Sequence, residues 1–294
     1  MNTLVIKNIS KTYSNGVKAL DNVNLEISNG MFGLLGANGA GKSSLMRTIA
    51  ALQKPSEGAI VFNDIDVVKT PQAIRKILGF LPQEFGVYPK ISAQELLNHL
   101  AILKGIQNKK ERKEQVNTLL QQTNLYQHRK KAVYTFSGGM KRRFGIAQAL
   151  LGNPKLIIVD EPTAGLAPEE RNRFLNLLSE IGNDIIVILS THIVEDVQEL
   201  CKQMAILSKG QIIASGHPSD LVNTITGKIW TKVIAKEKLP AYQEQYPVIS
   251  THLVGGETLI KVLSKRLPAE DFKPVAVGLE DYYFAQTHLY QSQN

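Results

Sequence analysis

Gly36-Ala37-Asn38-Gly39-Ala40-Gly41-Lys42-Ser43 fits the phosphate-loop pattern G-x-x-x-x-G-K-[ST] at every position. Met31-Phe32-Gly33-Leu34-Leu35 before it is apolar and reads as a buried strand. Residues 44–52 after it are helix-compatible, with Leu45, Ile49 and Leu52 on one face. A strand, a glycine loop and a helix start together make an anion site. Loop N–H groups point at phosphate oxygens, and the helix dipole favours negative charge there. Glycines supply positive φ and close approach of the backbone. Lys42 then reaches the β- and γ-phosphates and the Ser43 hydroxyl serves Mg²⁺. A plain glycine turn is the competing explanation, but the context favours a nucleoside triphosphate.

The rest of the composition is that of an ordinary globular protein. In 294 residues, 43% are hydrophobic and 20% charged, enough for one large domain and a small one. No apolar run approaches the ~20 residues that span a bilayer, and Met1-Asn2-Thr3-Leu4-Val5-Ile6-Lys7 lacks a signal-peptide layout. The expectation is a chain working on the cytosolic side. The single cysteine, Cys201, excludes an internal disulfide and a cysteine-rich metal site. Net charge is +8, with basic clusters at residues 109–113, 129–131 and 141–143. They could favour anionic lipid or nucleic acid, and a solvated helix face explains them as well. No aromatics interleave with them as a single-strand platform needs, the charge does not decide the partner, and no nucleic acid is expected.

Along the chain, Leu4-Val5-Ile6 opens a first strand, and Val23, Leu25 and Ile27 alternate with polar residues as a half-wet strand. Between them lies residues 11–16, read as a turn with an exposed aromatic, Tyr13. Residues 59–62 and 78–81 read as further strands, the latter running into Pro82-Gln83. The texture then turns helical over about 91–152. Ser92-x-x-Glu95 and Asn108-x-x-Glu111 look like reciprocally capped helix starts. Leu96, Leu100 and Leu103 form one apolar stripe, and Val116, Leu119 and Leu120 another. Strands return at 156–159 and 185–189, and residues 204–207 and 211–214 flank Ser208-Lys209-Gly210 as a hairpin. This alternation argues for an α/β fold with a mostly parallel sheet and antiparallel additions. Residues 223–294, with strand-like runs near 229–235, 248–254 and 259–263 and a closing helix from Leu279, read as a small α+β appendage.

Val159-Asp160-Glu161 closes an apolar strand with paired carboxylates. In phosphoryl transfer a strand-end Asp supports Mg²⁺, and an adjacent carboxylate can orient or deprotonate water. Gln83 follows another strand, and His192 in Ser190-Thr191-His192 a third. Four polar sites thus stand past the carboxyl ends of strands, the edge where open α/β sheets bind ligands. Each alone has a plain reading as a loop or cap residue; their shared edge argues for function.

Phe136-Ser137-Gly138-Gly139-Met140-Lys141 opens a helix some twenty residues before the carboxylate pair. With that segment in place, residues 1–221 resemble the ATP-binding-cassette (ABC) ATPases. The resemblance rests on Tyr13, the phosphate loop, Gln83, Ser137-Gly138-Gly139, Asp160-Glu161-Pro162-Thr163 and His192, in the family's order. It implies a P-loop cassette with an antiparallel β-subdomain and a helical insertion, spanning 1–222, followed by an accessory domain at 223–294. It also implies roles. Tyr13 stacks on adenine, and residues 36–44, including Ser44, cradle ATP. Gln83 senses Mg²⁺, Asp160 supports it, Glu161 acts on the attacking water, and His192 contacts the γ-phosphate. Ser137, Gly138 and Gly139 bind ATP held by the opposite subunit, so the sites form in a head-to-tail homodimer or in a heterodimer with a second ATPase subunit. Separate transmembrane subunits are the implied partners, and the exporter branch with a small C-terminal extension is closest in layout. The loop after Gln83, with Phe85 and Tyr88, is expected to face them.

Two positions depart from the family. Met140 stands where glutamine usually ends the Ser-Gly-Gly run, and Ala167 stands where aspartate is usual, before Pro168. Ala167 falls at an N-cap and cannot accept a backbone N–H, a change that costs about 0.5–2 kcal/mol in comparable cases. A soluble ABC ATPase acting on ribosomes or DNA is the alternative. It fits less well, because one cassette is present without inserted coiled coils or zinc sites. A GTPase or kinase would leave Ser137-Gly138-Gly139 unexplained.

Overall fold

The computed structural model describes residues 1–83, 86, 90–163, 166–182 and 184–293. Strand β1 (Thr3–Thr12) pairs antiparallel with β2 (Lys18–Ser28), placing Leu4 opposite Ile27 and Ile6 opposite Leu25. The alternation expected of residues 22–27 is present, with Val23, Leu25 and Ile27 turned inward. β3 (Gly30–Leu35) is buried from Met31 onward and runs into the glycine loop, which α1 (Lys42–Ile49) leaves. β4 (Glu57–Phe62) and β5 (Ile65–Asp66) complete the antiparallel sheet in the order β2-β1-β4-β5. Helix α2 (Pro71–Ile77) then leads into β6 (Leu78–Leu81).

Three helices follow, α3 (Ala93–Leu103), α4 (Lys109–Gln122) and α5 (Gly138–Ala149), around a core of their own that includes Leu97, Leu120 and Phe144. The cap of α3 is reciprocal. Glu95 N–H donates to Ser92 Oγ at 3.3 Å, and Ser92 N–H donates to the Glu95 carboxylate at 3.1 Å. Asn108 caps α4 by accepting from the Lys110 and Glu111 amides, without the expected return bond. The stripe on α4 is buried as expected. On α3 the buried arc runs Ala93, Leu96, Leu97 and Ala101, while Leu103 is 72% exposed. Leu96 and Leu97 are both buried and Leu100 is partly so, which leaves Leu103 beyond the edge of the arc.

The chain then returns through β7 (Leu156–Asp160), α6 (Pro168–Ile181), β8 (Ile186–Thr191), α7 (Val194–Leu200), β9 (Gln203–Ser208) and β10 (Gln211–Gly216). Among the described residues this gives a six-stranded sheet ordered β10-β9-β3-β8-β7-β6, parallel except for the β9–β10 hairpin. Apolar residues cover both of its faces, which is why its strands read as unbroken Val/Ile/Leu runs.

After α8 (Pro218–Asn223) come β11 (Ile229–Ile234), α9 (Leu239–Gln245), β12 (Val248–Val254), β13 (Glu257–Leu263), β14 (Lys273–Pro274) and α10 (Leu279–Gln293). Their strands form an antiparallel sheet, β12-β13-β11-β14. α9 was not expected from the sequence. α10 lies back on the first part of the chain: Leu279, Tyr282 and Ala285 share one apolar cluster with Val187, Val197 and Ile206.

Candidate functional site

Three parallel strands end side by side. Leu35 of β3 lies opposite Thr191 of β8, and Asp160 of β7 lies opposite Ser190. This register brings the glycine loop, the carboxylate pair and His192 to one edge. The loop and Glu161 border a cleft of about 410 Å³ lined by Tyr13, residues 37–39 and 41–44, Gln83 and Glu161, together with Val17, Lys18, Ala19, Lys209 and Gly210, while Asp160 and His192 lie outside that lining. Gly36 and Ala40 are buried beneath it. Two glycines of the loop are demanded by geometry. A side chain at Gly36 would meet the Leu207 carbonyl at 2.5 Å, and Gly41 holds φ at 109° against the Ala19 carbonyl.

Lys42 lies along the loop, donating to the Gly36 carbonyl at 2.7 Å and the Ala37 carbonyl at 3.2 Å. Its Nζ is also 3.2 Å from Glu161 Oε1, with both side chains over nine-tenths buried. That oxygen has no aligned hydrogen bond, so this contact is Coulombic. The other carboxylate oxygen, Oε2, is 2.6 Å from His192 Nδ1. Lys42, Glu161 and His192 thus form a continuous polar chain that starts at the phosphate loop. Glu161 holds φ at 49°, a left-handed conformation that costs about 1–3 kcal/mol for a non-glycine residue. Its amide donates to the Ser190 carbonyl at 2.9 Å, which fixes the turn. Asp160 is buried, and its Oδ1 has no hydrogen-bond partner.

Tyr13 is not the exposed aromatic expected. It is partly buried, with its hydroxyl 3.0 Å from Ser44 Oγ and 3.2 Å from Gln53 Oε1, so the ring has a fixed place at the cleft. Ser137 and Gly138 are exposed and outside this cleft. Ser137 caps α5 by accepting from the Met140 amide at 3.2 Å. Ala167 stands at the N-cap of α6 without a side-chain bond, as the sequence implied. Ala164, Gly165, Glu84, Phe85, Val87, Tyr88 and Pro89 lie outside the described residues, the aromatic pair expected after Gln83 among them.

Asp196 escaped the sequence reading. It is fully buried on α7, accepts from Thr163 Oγ1 at 2.5 Å and Thr191 Oγ1 at 3.4 Å, and pairs with Arg171 at 2.6 Å. It therefore ties the segment after β7 to the segment after β8. The available signal was an acid between Val194 and Val197 on the buried face of a helix. Lys18 and Lys209 were also missed, because turns far apart in sequence bring them to the cleft rim.

Comparison with known proteins bears on the family and the fold. The family profile described as ABC transporter matches residues 20–164. The uncharacterized ABC transporter ATP-binding protein YxlF of Bacillus subtilis (strain 168) is 30% identical over 301 residues, covering 97% of this chain and 99% of that protein. The chain belongs to the ABC transporter ATP-binding proteins. Another ABC relative, the linearmycin resistance ATP-binding protein LnrL of the same strain, is 34% identical over 227 residues, covering 76% of this chain and 72% of that protein. Among solved ABC cassettes, the dimeric post-hydrolysis structure of MJ0796 bound to ADP and Pi aligns with a TM-score of 0.67 and 28% identity, covering 73% of this chain and 98% of that one. The cassette fold expected from the sequence is present, and the chain is an ATP-binding, ATP-hydrolysing member of the ABC family.

Proposed function

We propose that this ATPase energises an ABC transporter through separate transmembrane subunits, in the direction of export, from the inner face of the membrane. Residues 1–222 serve as the cassette, with about 91–152 as its helical subdomain, and 223–294 as an accessory domain. The observation that carries the reading is the Lys42–Glu161–His192 chain beside the phosphate loop. Residues 36–44 bind the phosphates through loop amides and Lys42, and Tyr13 stacks on the base. Glu161 takes a proton from the attacking water, and His192, hydrogen-bonded to it, contacts the γ-phosphate and fixes the carboxylate. A buried carboxylate oxygen without a partner, Asp160 Oδ1, fits a divalent cation held with Ser43 and Gln83. Mg²⁺ would supply charge neutralisation between phosphate oxygens.

The placement of Ser137 supports a head-to-tail dimer. Ser137, Gly138 and Gly139 stand at the start of a twelve-residue helix, outside their own chain's cleft, so their N-terminal amides can serve a partner's nucleotide. The partner is a second copy or a second ATPase subunit. A groove of about 380 Å³ between the central sheet and the three-helix body, with Leu52 and Leu103 exposed on it, suits an apolar segment of a membrane partner. Export rests on the layout, one cassette followed by a small C-terminal extension.

One comparison tests the core of this reading. Glu161→Gln should retain ATP binding, lose turnover by about 10²–10⁴-fold, and sediment as a dimer with ATP and Mg²⁺. Lys42→Ala should lose ATP affinity, and adding Ser137→Arg to Glu161→Gln should return it to monomer. ATP affinity unchanged in Lys42→Ala would reject the loop assignment. Nucleotide-dependent substrate uptake into inverted membrane vesicles, once the membrane subunits are co-expressed, checks direction.

A further inference from the structure

The C-terminal helix reaches the rim of the nucleotide cleft. Tyr290, in the last turns of α10, donates its hydroxyl hydrogen to Gln211 Oε1 at 2.9 Å. Gln211 Nε2 donates to Asp21 Oδ2 at 2.6 Å, and the other oxygen of Asp21 pairs with Lys18 Nζ at 2.5 Å. Lys18 lines the cleft. A second branch runs through the hairpin turn between β9 and β10. Lys209 lies 5.9 Å from the centre of the Tyr290 ring and also lines the cleft. The adjoining Gly210 amide donates to the Ala40 carbonyl of the phosphate loop at 2.9 Å, and its own carbonyl accepts from Asp21 N–H at 2.9 Å.

Asp21 lies far in sequence from Gln211 and Tyr290, yet the polar groups of all three meet in series and end on Lys18, a cation lining the cleft. We propose that Tyr290 is a positioning residue for ATP: it holds Gln211, and through Asp21 sets Lys18, with Lys209 alongside, at the rim of the cleft. The accessory domain is then part of the nucleotide site's support. The inference rests on the cleft binding ATP, and the Asp21 carboxyl supports it: hydrogen bonds from Lys18 and then Gln211 hold it below its ordinary range.

The electrostatics give the expected effect its character. Two ammonium groups at a rim attract a polyanion before and after chemistry alike, so mispositioning them changes binding rather than the chemical step. Because the groups are solvent-facing, salt screens their pull. Loss of one hydrogen bond in such a series corresponds to about a three- to ten-fold change in affinity.

The test is Tyr290→Phe in the full chain, measured by titration with a fluorescent ATP analogue and by steady-state hydrolysis. The expected result is about a three- to ten-fold rise in Kd and KM for ATP, kcat within about two-fold of the parent, and a loss that shrinks toward parity at about 0.5 M salt. Gln211→Ala should lose as much, and the double variant no more than either single one, since both break the same series. Unchanged Kd in Tyr290→Phe, additive losses in the double variant, or a fall in kcat with constant KM would each overturn the proposal. Lys42→Ala is run alongside as the separate check on the cleft. Loss of affinity there, with Tyr290→Phe behaving as the parent, overturns the series alone and leaves the nucleotide site standing.

Discussion

Cys201 follows the last turn of α7, and its thiol is buried near Gly33 of β3. Burial, then the nearby Asp196 carboxylate, push it from an ordinary 9.0 up to about 12. Above pH 9 the unfolded thiol releases a proton that the folded one retains, so stability is full below 9 and declines as pH rises toward 12. Denaturant unfolding of the parent and of Cys201→Ala should therefore diverge: the parent's stability, relative to the variant, should fall by about 1 kcal/mol between pH 9 and 10. A constant difference over that step would contradict the burial argument. At this scale the sequence was most legible where a polar residue ends an apolar run. Gln83, Asp160, Glu161 and His192 could be seen that way. Asp196 could not, because its meaning lies in Thr163, Thr191 and Arg171, which only folding brings to it. Tyr13 reads as exposed from sequence because the partners that cover it, Ser44 and Gln53, are distant along the chain.

Helix α6 begins with several favourable features and lacks one. Pro168 sits at its first position, and Glu169 and Glu170 complement the N-terminal dipole, but Ala167 offers no acceptor to the free amides. Its backbone already has cap geometry, with φ −63° and ψ 151°. Ala167→Asp should consequently stabilise the protein by about 0.5–1.5 kcal/mol, read as a raised midpoint in thermal unfolding. A lowered midpoint would mean that the new carboxylate meets repulsion rather than amides. Elements whose signals are local were the ones the sequence revealed, such as the Ser92–Glu95 box and the Ser208-Lys209-Gly210 hairpin. Helix α9 was missed for the opposite reason. It is seven residues long, and Tyr242 and Tyr246 are anchored by Phe272, a partner far along the chain.

Helix α10 is continuous with the interior beneath the central sheet. Tyr282, 4% exposed, and Ala285 share the cluster that lines one face of the central sheet. Truncating such a side chain removes contacts on both sides at once. Tyr282→Ala should cost about 3 kcal/mol, or roughly 6–12 °C in melting temperature, and calorimetry should still show one cooperative transition. Two resolved transitions, with only the smaller one displaced, would mean that the two parts unfold independently. The parallel pairing of the central sheet has a different kind of consequence. With Leu35 beside Thr191 and Asp160 beside Ser190, the strands act as a ruler whose graduations are single residues of about 3.3 Å. Loop chemistry can be rewritten beyond that line while the spacing between loops stays constant. Strand length cannot be altered so freely. One residue added within β7 would carry the carboxylates a full graduation away from Lys42 and turn each following side chain to the opposite face.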